Sequence, residues 1–380
     1  MAINSNGHES RWRERSGCRG ESAAVSLNMM NPLRRRAVRQ HGRWTVGTAA
    51  IVVLFGLQAG WADEPLRRFE FHRKAMGVDF TVVLYGAKKG AANTAAQAAL
   101  DRVTRIDEIC SDYRATSELR KLCAAARPGR AMPVSLDLAR VLKLSHRVSK
   151  LSDGAFDVTV GPLTKLWRRA RRQKKLPPAD RLKQARGLVG FQLVSVDVPG
   201  RRVTLKREGM RLDLGGIAKG YAVDRAMEVL ADHGFTRSMV DGSGDLVVGD
   251  PPPGQDGWKV AVASPEKPGR RSTEVLEVAN IAIATSGDAF QSVTIGGKRF
   301  SHILDPRTGL GLTTSSSVTV LASDAATADA MASAVSVMGS VAGQRLVAET
   351  RGVESLFVSR VKDRLRIHRT SGWPGRSSPR

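Results

Sequence analysis

The stretch from Arg211 to Asp224 has the composition of a ligand-binding turn. It contains three glycines, Gly215, Gly216 and Gly220. Glycines let a backbone turn sharply and come close to a ligand, and the free N–H groups of a helix N-terminus suit a phosphate. Lys219 adds a cation, and Asp213 adds a carboxylate for a hydroxyl, an amine or a metal. The pattern indicates a phosphate site, with a simple glycine turn before a helix as the alternative.

Asp329 and Ser333 lie four residues apart in a stretch rich in small residues. In a helix this spacing puts the carboxylate and the hydroxyl on the same face. Together with a backbone carbonyl, they would form a site of hard oxygen ligands, which Mg²⁺ prefers. On the pattern alone, the alternative is that both are surface or capping residues of an alanine-rich helix.

His302 precedes the turn-like stretch Asp305-Pro-Arg-Thr-Gly309. Histidine titrates near neutral pH, so it can remove a proton from a hydroxyl. We therefore regard His302 as the candidate general base, with Asp305 either orienting it or acting in its place. The alternative is that His302 is only a turn residue.

Five stretches of the chain resemble, in order, motifs of the ApbE family of FAD:protein FMN transferases. The most specific is Asp213-Leu-Gly-Gly-Ile-Ala-Lys-Gly-Tyr-Ala222. The other four are Ala155-Phe-Asp-Val-Thr-Val-Gly-Pro-Leu163, Thr285-Ser-Gly-Asp288, Ser301-His-Ile-Leu-Asp-Pro-Arg-Thr-Gly309 and Ala328-Asp-Ala-Met-Ala-Ser-Ala334. The resemblance extends from about Phe69 to about Phe357.

The resemblance implies which residues bind FAD. These are Met76, Tyr113, Ala155, Phe156, Asp157, Asp213, Lys219, Thr285, His302 and Ile303. Tyr113 matches the aromatic residue that covers the flavin in the family. Asp157 would hold ribityl or adenosine hydroxyls, although an aspartate at this position also fits the N-cap of the following helix.

The resemblance also implies a Mg²⁺ site and a reaction. Asp329, Ser333 and the carbonyl of Gly216 would bind the ion. Ser333 stands where the family has Thr, so it keeps the hydroxyl but lacks the methyl group that restricts its rotamer. The implied reaction moves the FMN moiety of FAD onto a Thr or Ser hydroxyl of an acceptor protein and releases AMP. The expected acceptor is a membrane redox subunit or an exported flavoprotein.

Two other functions remain open for the same pocket. One is an FAD pyrophosphatase, in which water replaces the acceptor hydroxyl and FMN is released. The other is a flavin-binding carrier without catalysis. An assay without acceptor separates these functions by the release of FMN and AMP.

The elements that must position these residues follow from hydrophobic periodicity. Helices are predicted over Ala91–Ile109, Leu136–Leu151, Tyr221–His233 and Ala326–Gly339. Strands alternate with them irregularly, including two around Met76-Gly77 and a pair that flanks the loop Asp241-Gly-Ser-Gly-Asp245. Without a regular strand–helix–strand alternation, the fold class is α+β, with mixed or antiparallel sheets flanked by helices, as in the ApbE family.

The net charge of +24 is concentrated in three segments, residues 1–43, 165–186 and 351–380. The central body is therefore near neutral, and the basic isoelectric point does not describe the site. Aromatic residues make up only 5% of the chain, so the interleaved aromatics of a nucleic-acid surface are missing. We expect no nucleic acid as a partner, and we interpret residues 165–186 as a solvated insert.

Residues 1–62 have the features of a secretory signal after an N-terminal extension. Arg34-Arg-Arg and Arg43 are basic, Trp44–Leu57 is uncharged and mainly apolar, and Gly60-Trp-Ala62 fits a cleavage site. We expect a periplasmic protein, or a membrane-tethered one if the signal is not cleaved. Residues 63–359 would form the ApbE-like domain, and 360–380 a basic C-terminal tail.

Two cysteines, Cys110 and Cys123, follow the signal. In an oxidising compartment they could form a disulfide, or they could remain free thiols. The sequence favours neither alternative.

Overall fold

The protein is described by a computed structural model that covers residues 65–262, 274–288, 291–361 and 364–374. The predicted signal lies outside these residues. The helices in the described part are α1 (Lys89–Cys110), α2 (Glu118–Ala125), α3 (Leu136–Leu151), α4 (Gly161–Gln173), α5 (Ala179–Arg186), α6 (Ala218–Asp232) and α7 (Ala325–Ala348). The bounds of α3 are those predicted from its periodicity.

The strands are short and mostly joined by tight turns. They are β1 (Arg67–Ala75), β2 (Val78–Gly86), β3 (Ala131–Pro133), β4 (Val194–Asp197), β5 (Arg202–Leu205), β6 (Ser238–Asp241), β7 (Asp245–Val248), β8 (Trp258–Val262), β9 (Glu274–Val278), β10 (Ile281–Gly287), β11 (Ser292–Ile295), β12 (Lys298–Ser301), β13 (Leu304–Asp305), β14 (Leu310–Gly311), β15 (Ser315–Ala322), β16 (Glu354–Val361) and β17 (Arg364–Arg369).

Eight strands form the main sheet, in the order β1-β2-β6-β7-β10-β15-β16-β17. Every neighbouring pair in it is antiparallel. The turn between β1 and β2 consists of Met76 and Gly77, with φ of 52° and 78°, as a two-residue hairpin turn requires. The α+β prediction with antiparallel sheets and flanking helices is confirmed.

The main sheet has helices on one face and a small hairpin on the other. Val82 and Val320 face the core that α1, α6 and α7 share. Val83 and Leu321, their neighbours in sequence, belong to the core formed with the β8–β9 hairpin. Successive side chains of a strand point to opposite faces, so both faces of the sheet are apolar and both are covered.

α7 is the helix buried most extensively in the helix layer. By length and composition it could cross a membrane, but residues around its axis, such as Ala326, Ala330, Met331 and Val335, are buried within the protein. A core helix is apolar for the same reason. The predicted end at Gly339 corresponds to an interruption, since this residue has φ 79° and ψ 179°.

The interpretation of the basic segment 165–186 as a solvated insert holds only in part, because most of its Lys and Arg residues are exposed whereas Trp167 and Ala170 pack on the domain. The segment forms the greater part of α4 and all of α5. Trp167 and Ala170 of α4 pack with Phe300 of β12, and the indole Nε1 of Trp167 donates to the carbonyl oxygen of Ser301 at 3.1 Å. These contacts place α4 beside His302.

The C-terminal boundary of the domain also differs from the prediction. β16 continues past residue 359, and β17 is the edge strand of the main sheet. Trp373 is buried, and its indole Nε1 donates to Oε1 of Glu274 at 2.9 Å. Residues 364–374 therefore belong to the folded domain rather than to a tail.

Cys110 and Cys123 are free thiols. Cys110 is buried at the end of α1. The Sγ of Cys123 accepts a hydrogen bond from the backbone N of Leu212 at 3.3 Å. The two thiols therefore lie at separate positions and do not form a disulfide.

Candidate functional site

The stretch from Arg211 to Asp224 follows β5 and continues into the first turns of α6, where it meets α7. A Cβ at Gly220 would lie 2.1 Å from the carbonyl oxygen of Ala325, and a Cβ at Gly216 would lie 2.9 Å from Oγ of Ser333. Neither glycine has a positive φ, nor does Gly215. The glycines at 216 and 220 are thus needed for the close approach of α7, which corrects the interpretation that they allow a sharp turn.

The contact between α6 and α7 brings together the three residues predicted to bind Mg²⁺. Ser333 faces Gly216. Oδ2 of Asp329 accepts a hydrogen bond from the backbone N of Gly220 at 3.4 Å, in the first turn of α6. The carboxylate of Asp329 therefore occupies the helix N-terminus where the sequence indicates a phosphate.

Asp329 is buried with few partners, and this fits a metal ligand. It is 6% exposed. Burial raises its pKa, while Lys219 and the N–H of Gly220 lower it. Among the described residues, no three His, Cys, Asp or Glu side chains cluster as a metal site. A cation here would be held by one carboxylate with a hydroxyl and a carbonyl, a set of hard oxygens that fits Mg²⁺.

Lys219 is not a free cation. Its Nζ forms an ion pair with Oδ2 of Asp245, a carboxylate that is 1% exposed. Asp245 begins β7 after the predicted glycine loop, in which Oδ1 of Asp241 accepts from the backbone N of Gly244 at 3.0 Å. Asp245 was not predicted as a site residue, although its place after a glycine loop was a usable signal.

Thr285 lies beside the same loop. Its backbone N donates to the carbonyl oxygen of Gly244 at 2.9 Å, and its hydroxyl lies 2.9 Å from that of Thr319 on the neighbouring strand. Since Ala284 pairs with Asp245, Thr285 is close to the ion pair of Lys219.

Asp213 is held by α4 and by its own loop. Its Oδ2 accepts from Nη2 of Arg168 at 3.2 Å, and its Oδ1 accepts from the backbone N of Gly215 at 2.9 Å. Burial and the nearby Asp112 raise the pKa of Asp213, while Arg168 lowers it. Arg168 also forms an ion pair with Asp112, so one guanidinium bridges two carboxylates.

Tyr113 lies on the loop between α1 and α2, as predicted, and is 76% exposed. The guanidinium carbon of Arg168 lies 4.2 Å from the centre of its ring. Arg168 thus connects Tyr113 with Asp213, two of the residues predicted to bind FAD.

Four other predicted FAD contacts lie in or near the core. Ala155 and Phe156 are buried, and the ring of Phe156 lies 3.3 Å from the position of a Cβ at Gly216. Met76 is in the β1–β2 turn, packed against the core. The backbone N of Ile303 donates to Oγ of Ser301 at 3.0 Å.

Asp157 has a capping role, although it caps the 3-10 turn before α4 rather than α4 itself, as the sequence alternative had it. Its Oδ1 accepts from the backbone N of Thr159 at 2.8 Å and from the Thr159 hydroxyl at 2.6 Å. It therefore caps the 3-10 turn Val158–Val160, which leads into α4. The carboxylate also accepts a hydrogen bond from the backbone of Phe191, so it is largely occupied within the protein and less able to hold ligand hydroxyls.

His302 follows β12 and is partly buried. Its Nδ1 is buried and has no hydrogen-bond partner among the described residues. Burial lowers the pKa of His302 below its usual 6.5, and the nearby cation Arg171 lowers it further, whereas Asp288 raises it. The imidazole is therefore neutral near pH 7 and able to accept a proton.

Asp305 does not orient His302, which corrects that part of the prediction. Its Oδ1 accepts from the backbone N of Arg307 at 2.9 Å and from Nε of Arg307 at 3.0 Å. An aspartate in a turn commonly bonds the backbone two residues further on. The carboxylate thus shapes the turn.

α4 supplies site residues that were not predicted from the sequence. Arg168 binds Asp112 and Asp213, and Arg171 lies close enough to His302 to lower its pKa. The usable signal was the apolar spacing of Leu163, Trp167 and Ala170, which predicts an amphipathic helix packed on the domain.

Comparisons with known proteins agree with this fold and with the family that the motifs resemble. The ApbE family model matches residues 76–357. A relative from Vibrio cholerae, named FAD:protein FMN transferase, is 29% identical over 338 residues, which cover 87% of this chain and 97% of the relative. A relative of the same name from Haemophilus influenzae is 32% identical over 241 residues, covering 60% of this chain and 68% of the relative.

Solved structures show the same architecture. The flavin transferase ApbE from Vibrio cholerae superposes with a TM-score of 0.71 at 28% identity, covering 81% of this chain and 98% of that chain. The ApbE protein from Thermotoga maritima gives a TM-score of 0.71 at 30% identity, covering 80% and 97%. The sequence motifs, the antiparallel sheet with its helix layer and these comparisons together show that the chain belongs to the ApbE family.

Proposed function

We propose that this chain transfers the FMN moiety of FAD to a Thr or Ser hydroxyl of an acceptor protein and releases AMP. The observation that carries the proposal is the meeting of Gly216, Asp329 and Ser333 beside Lys219, where α6 contacts α7. Relatives named FAD:protein FMN transferase support it, since they cover most of the chain.

Gly216, through its carbonyl, Asp329 and Ser333 are the residues that would hold Mg²⁺. When bound, Mg²⁺ would supply positive charge that offsets the negative charge of the pyrophosphate. Arg171 and Lys219, the latter paired with Asp245, lie near the same place, since Lys219 lowers the pKa of Asp329 and both residues lower the pKa of His302. Phosphoryl transfer depends mainly on such positioning and charge stabilisation.

His302 is the group proposed to receive the proton. The acceptor hydroxyl oxygen bonds to the FMN-side phosphorus of FAD, the bond from that phosphorus to the bridging oxygen breaks, and AMP leaves. The hydroxyl proton passes to His302, which burial and Arg171 keep neutral near pH 7. A base with a pKa close to the working pH is efficient in this role.

We also propose that the mature chain acts in the periplasm on an exported or membrane-bound redox protein. The support is the basic segment followed by an apolar run and small residues within residues 1–62. An exported enzyme would meet acceptors that are themselves exported.

The test is a reaction of the purified chain with FAD, Mg²⁺ and an acceptor protein that carries a Thr in a flavinylation motif. Intact mass should show one covalent FMN on the acceptor, with one AMP released. An acceptor with this Thr replaced by Val should remain unmodified. Release of FMN and AMP without acceptor would instead indicate a pyrophosphatase, and tight FAD binding without any product would indicate a carrier.

A further inference from the structure

The loop that carries Tyr113 is held at several points. The hydroxyl of Ser117 donates to the carbonyl oxygen of Ser111 at 2.6 Å, and the backbone N of Arg114 donates to Oγ of Ser111 at 3.2 Å. Nη1 of Arg120 donates to the carbonyl oxygen of Asp112 at 3.2 Å. These bonds order the backbone of the loop, but they leave the ring of Tyr113 to be positioned by other contacts.

The guanidinium of Arg168 provides such a contact. One of its nitrogens pairs with Asp112 and another with Asp213, so its plane is held from two sides. The stem of Arg168 extends from α4, which the neighbouring Trp167 attaches to β12. A planar group held by two carboxylates is a rigid platform.

The guanidinium carbon of Arg168 lies 4.2 Å from the centre of the Tyr113 ring. This is within the distance of a favourable cation–π contact. Tyr113 is nevertheless 76% exposed, so the face of its ring away from Arg168 is open. A flat aromatic ligand can stack on that face, and a ring that is already in place costs less to order when the ligand binds.

We propose that Arg168 is a positioning residue of the flavin site, which holds the ring of Tyr113 so that its open face receives the isoalloxazine. The inference rests on the proposed function and deepens it. A purely structural role for Arg168, as a counter-charge between Asp112 and Asp213, is the competing explanation. The two explanations differ in whether the effect of Arg168 depends on Tyr113.

The test is a double-mutant cycle with Arg168→Gln and Tyr113→Ala, measured as the Kd for FAD from flavin fluorescence. Arg168→Gln is expected to raise the Kd about tenfold when Tyr113 is present and no more than about threefold when it is absent, because contacting residues are coupled. The same factor in both backgrounds would overturn the proposal. The Kd for AMP, which lacks the flavin ring, should change little in Arg168→Gln, and an equal loss for AMP would also count against it.

Two further variants allow the proposal to be tested if Arg168→Gln folds poorly. Arg168→Lys retains the charge between the carboxylates but not the planar stack, so FAD should still bind more weakly than in the unmodified chain; an unchanged Kd would overturn the proposal. Arg169→Gln is the matched control, since this exposed neighbour bonds Gln173 on the same helix. If the unmodified chain fails to bind FAD, the proposed function itself is wrong and this inference with it, whereas FAD binding with an additive cycle rejects this inference alone.

Discussion

Asp329 is the single residue whose loss should affect activity most. Its buried carboxylate is the charged member of the proposed Mg²⁺ site. Replacement by Ala removes the charge that would balance the cation, so the rate of FMN transfer should fall to the background level at all Mg²⁺ concentrations. The matched control is Asp324→Ala, which removes the N-cap of the same helix and should cost about 1 kcal/mol of stability without changing the Mg²⁺ dependence.

Ser333→Thr should preserve or raise the transfer rate. The hydroxyl is retained, and the added methyl group restricts its rotamers. The measurement is the transfer rate as a function of Mg²⁺ concentration in the folded variant. A folded but inactive Thr variant would show that this position does not act as the family resemblance implies.

His302 should produce an acidic limb in the pH profile of transfer. Burial and Arg171 lower its pKa below 6.5. The rate should therefore increase with pH, with a midpoint below 6.5, because protonated His302 at lower pH cannot accept the proton. Arg171→Gln removes a cation from beside His302 and should move the midpoint upward. Arg172→Gln, an exposed neighbour, is the control and should leave it unchanged. An unchanged midpoint in Arg171→Gln, or a transfer rate that does not vary between pH 5 and 7, would contradict the assignment of His302 as the base.

The contact between α6 and α7 depends on the absence of a side chain at Gly220. In Gly220→Ala, the Cβ would lie 2.1 Å from the carbonyl oxygen of Ala325, which is main chain and cannot rotate away. The free energy of unfolding should fall by about 1–3 kcal/mol, as in other overpacked cores. Gly90→Ala in α1 has open space around it and should be neutral or stabilising by up to about 1 kcal/mol. Chemical denaturation of both variants is the measurement, and similar values would contradict the packing argument.

Asp224 should make the contact between α6 and α7 sensitive to pH. Its carboxylate oxygens accept from the backbone N of Ala325 at 2.7 Å and of Ala326 at 2.9 Å, but burial raises its pKa to about 7. Because folding raises the pKa of Asp224, its contribution to the free energy of unfolding is complete below its unfolded-state pKa of 3.8. This contribution is lost as the pH rises through the folded-state pKa of about 7.

The stability of the unmodified chain relative to Asp224→Asn should therefore decrease by about 2 kcal/mol between pH 5 and pH 7. Asn has nearly the same size but does not titrate. Denaturation of both proteins at each pH measures the difference. A difference that stays constant or grows with pH would mean that the hydrogen bonds from α7 outweigh the effect of burial.

At the scale of the whole molecule, the folded domain should be preceded by a segment that is removed on export. The basic residues before Trp44, followed by the apolar run to Leu57, predict a mature chain that begins near Asp63. Intact mass of the protein from a periplasmic fraction tests this. Leu54→Arg interrupts the apolar run and should leave the uncleaved chain in the cytoplasm. An unmodified chain that keeps Met1 in the periplasm would contradict cleavage.

Much of the fold could be predicted because the relevant signals are local. Helical spacing predicted the observed bounds of α3, and the two strands predicted around Met76-Gly77 are β1 and β2. β9 was not predicted, because its residue types do not follow the alternation of its side chains, with Glu274 buried and Val275 exposed. Glu274 is stabilised by Trp373, about a hundred residues away in sequence, and no local pattern could indicate that partner.

The sequence by itself determined which residue types are available to the site, since motif residues, turns and periodicity are properties of short stretches. Only the tertiary structure decided their partners: Lys219 pairs with Asp245, Asp213 with Arg168, and Asp305 with Arg307 rather than with His302. A buried charge is costly unless it is paired, and which opposite charge it finds depends on how distant elements pack. For that reason α4, which the sequence indicated as a helix followed by a basic segment but not as a source of site residues, became part of the site.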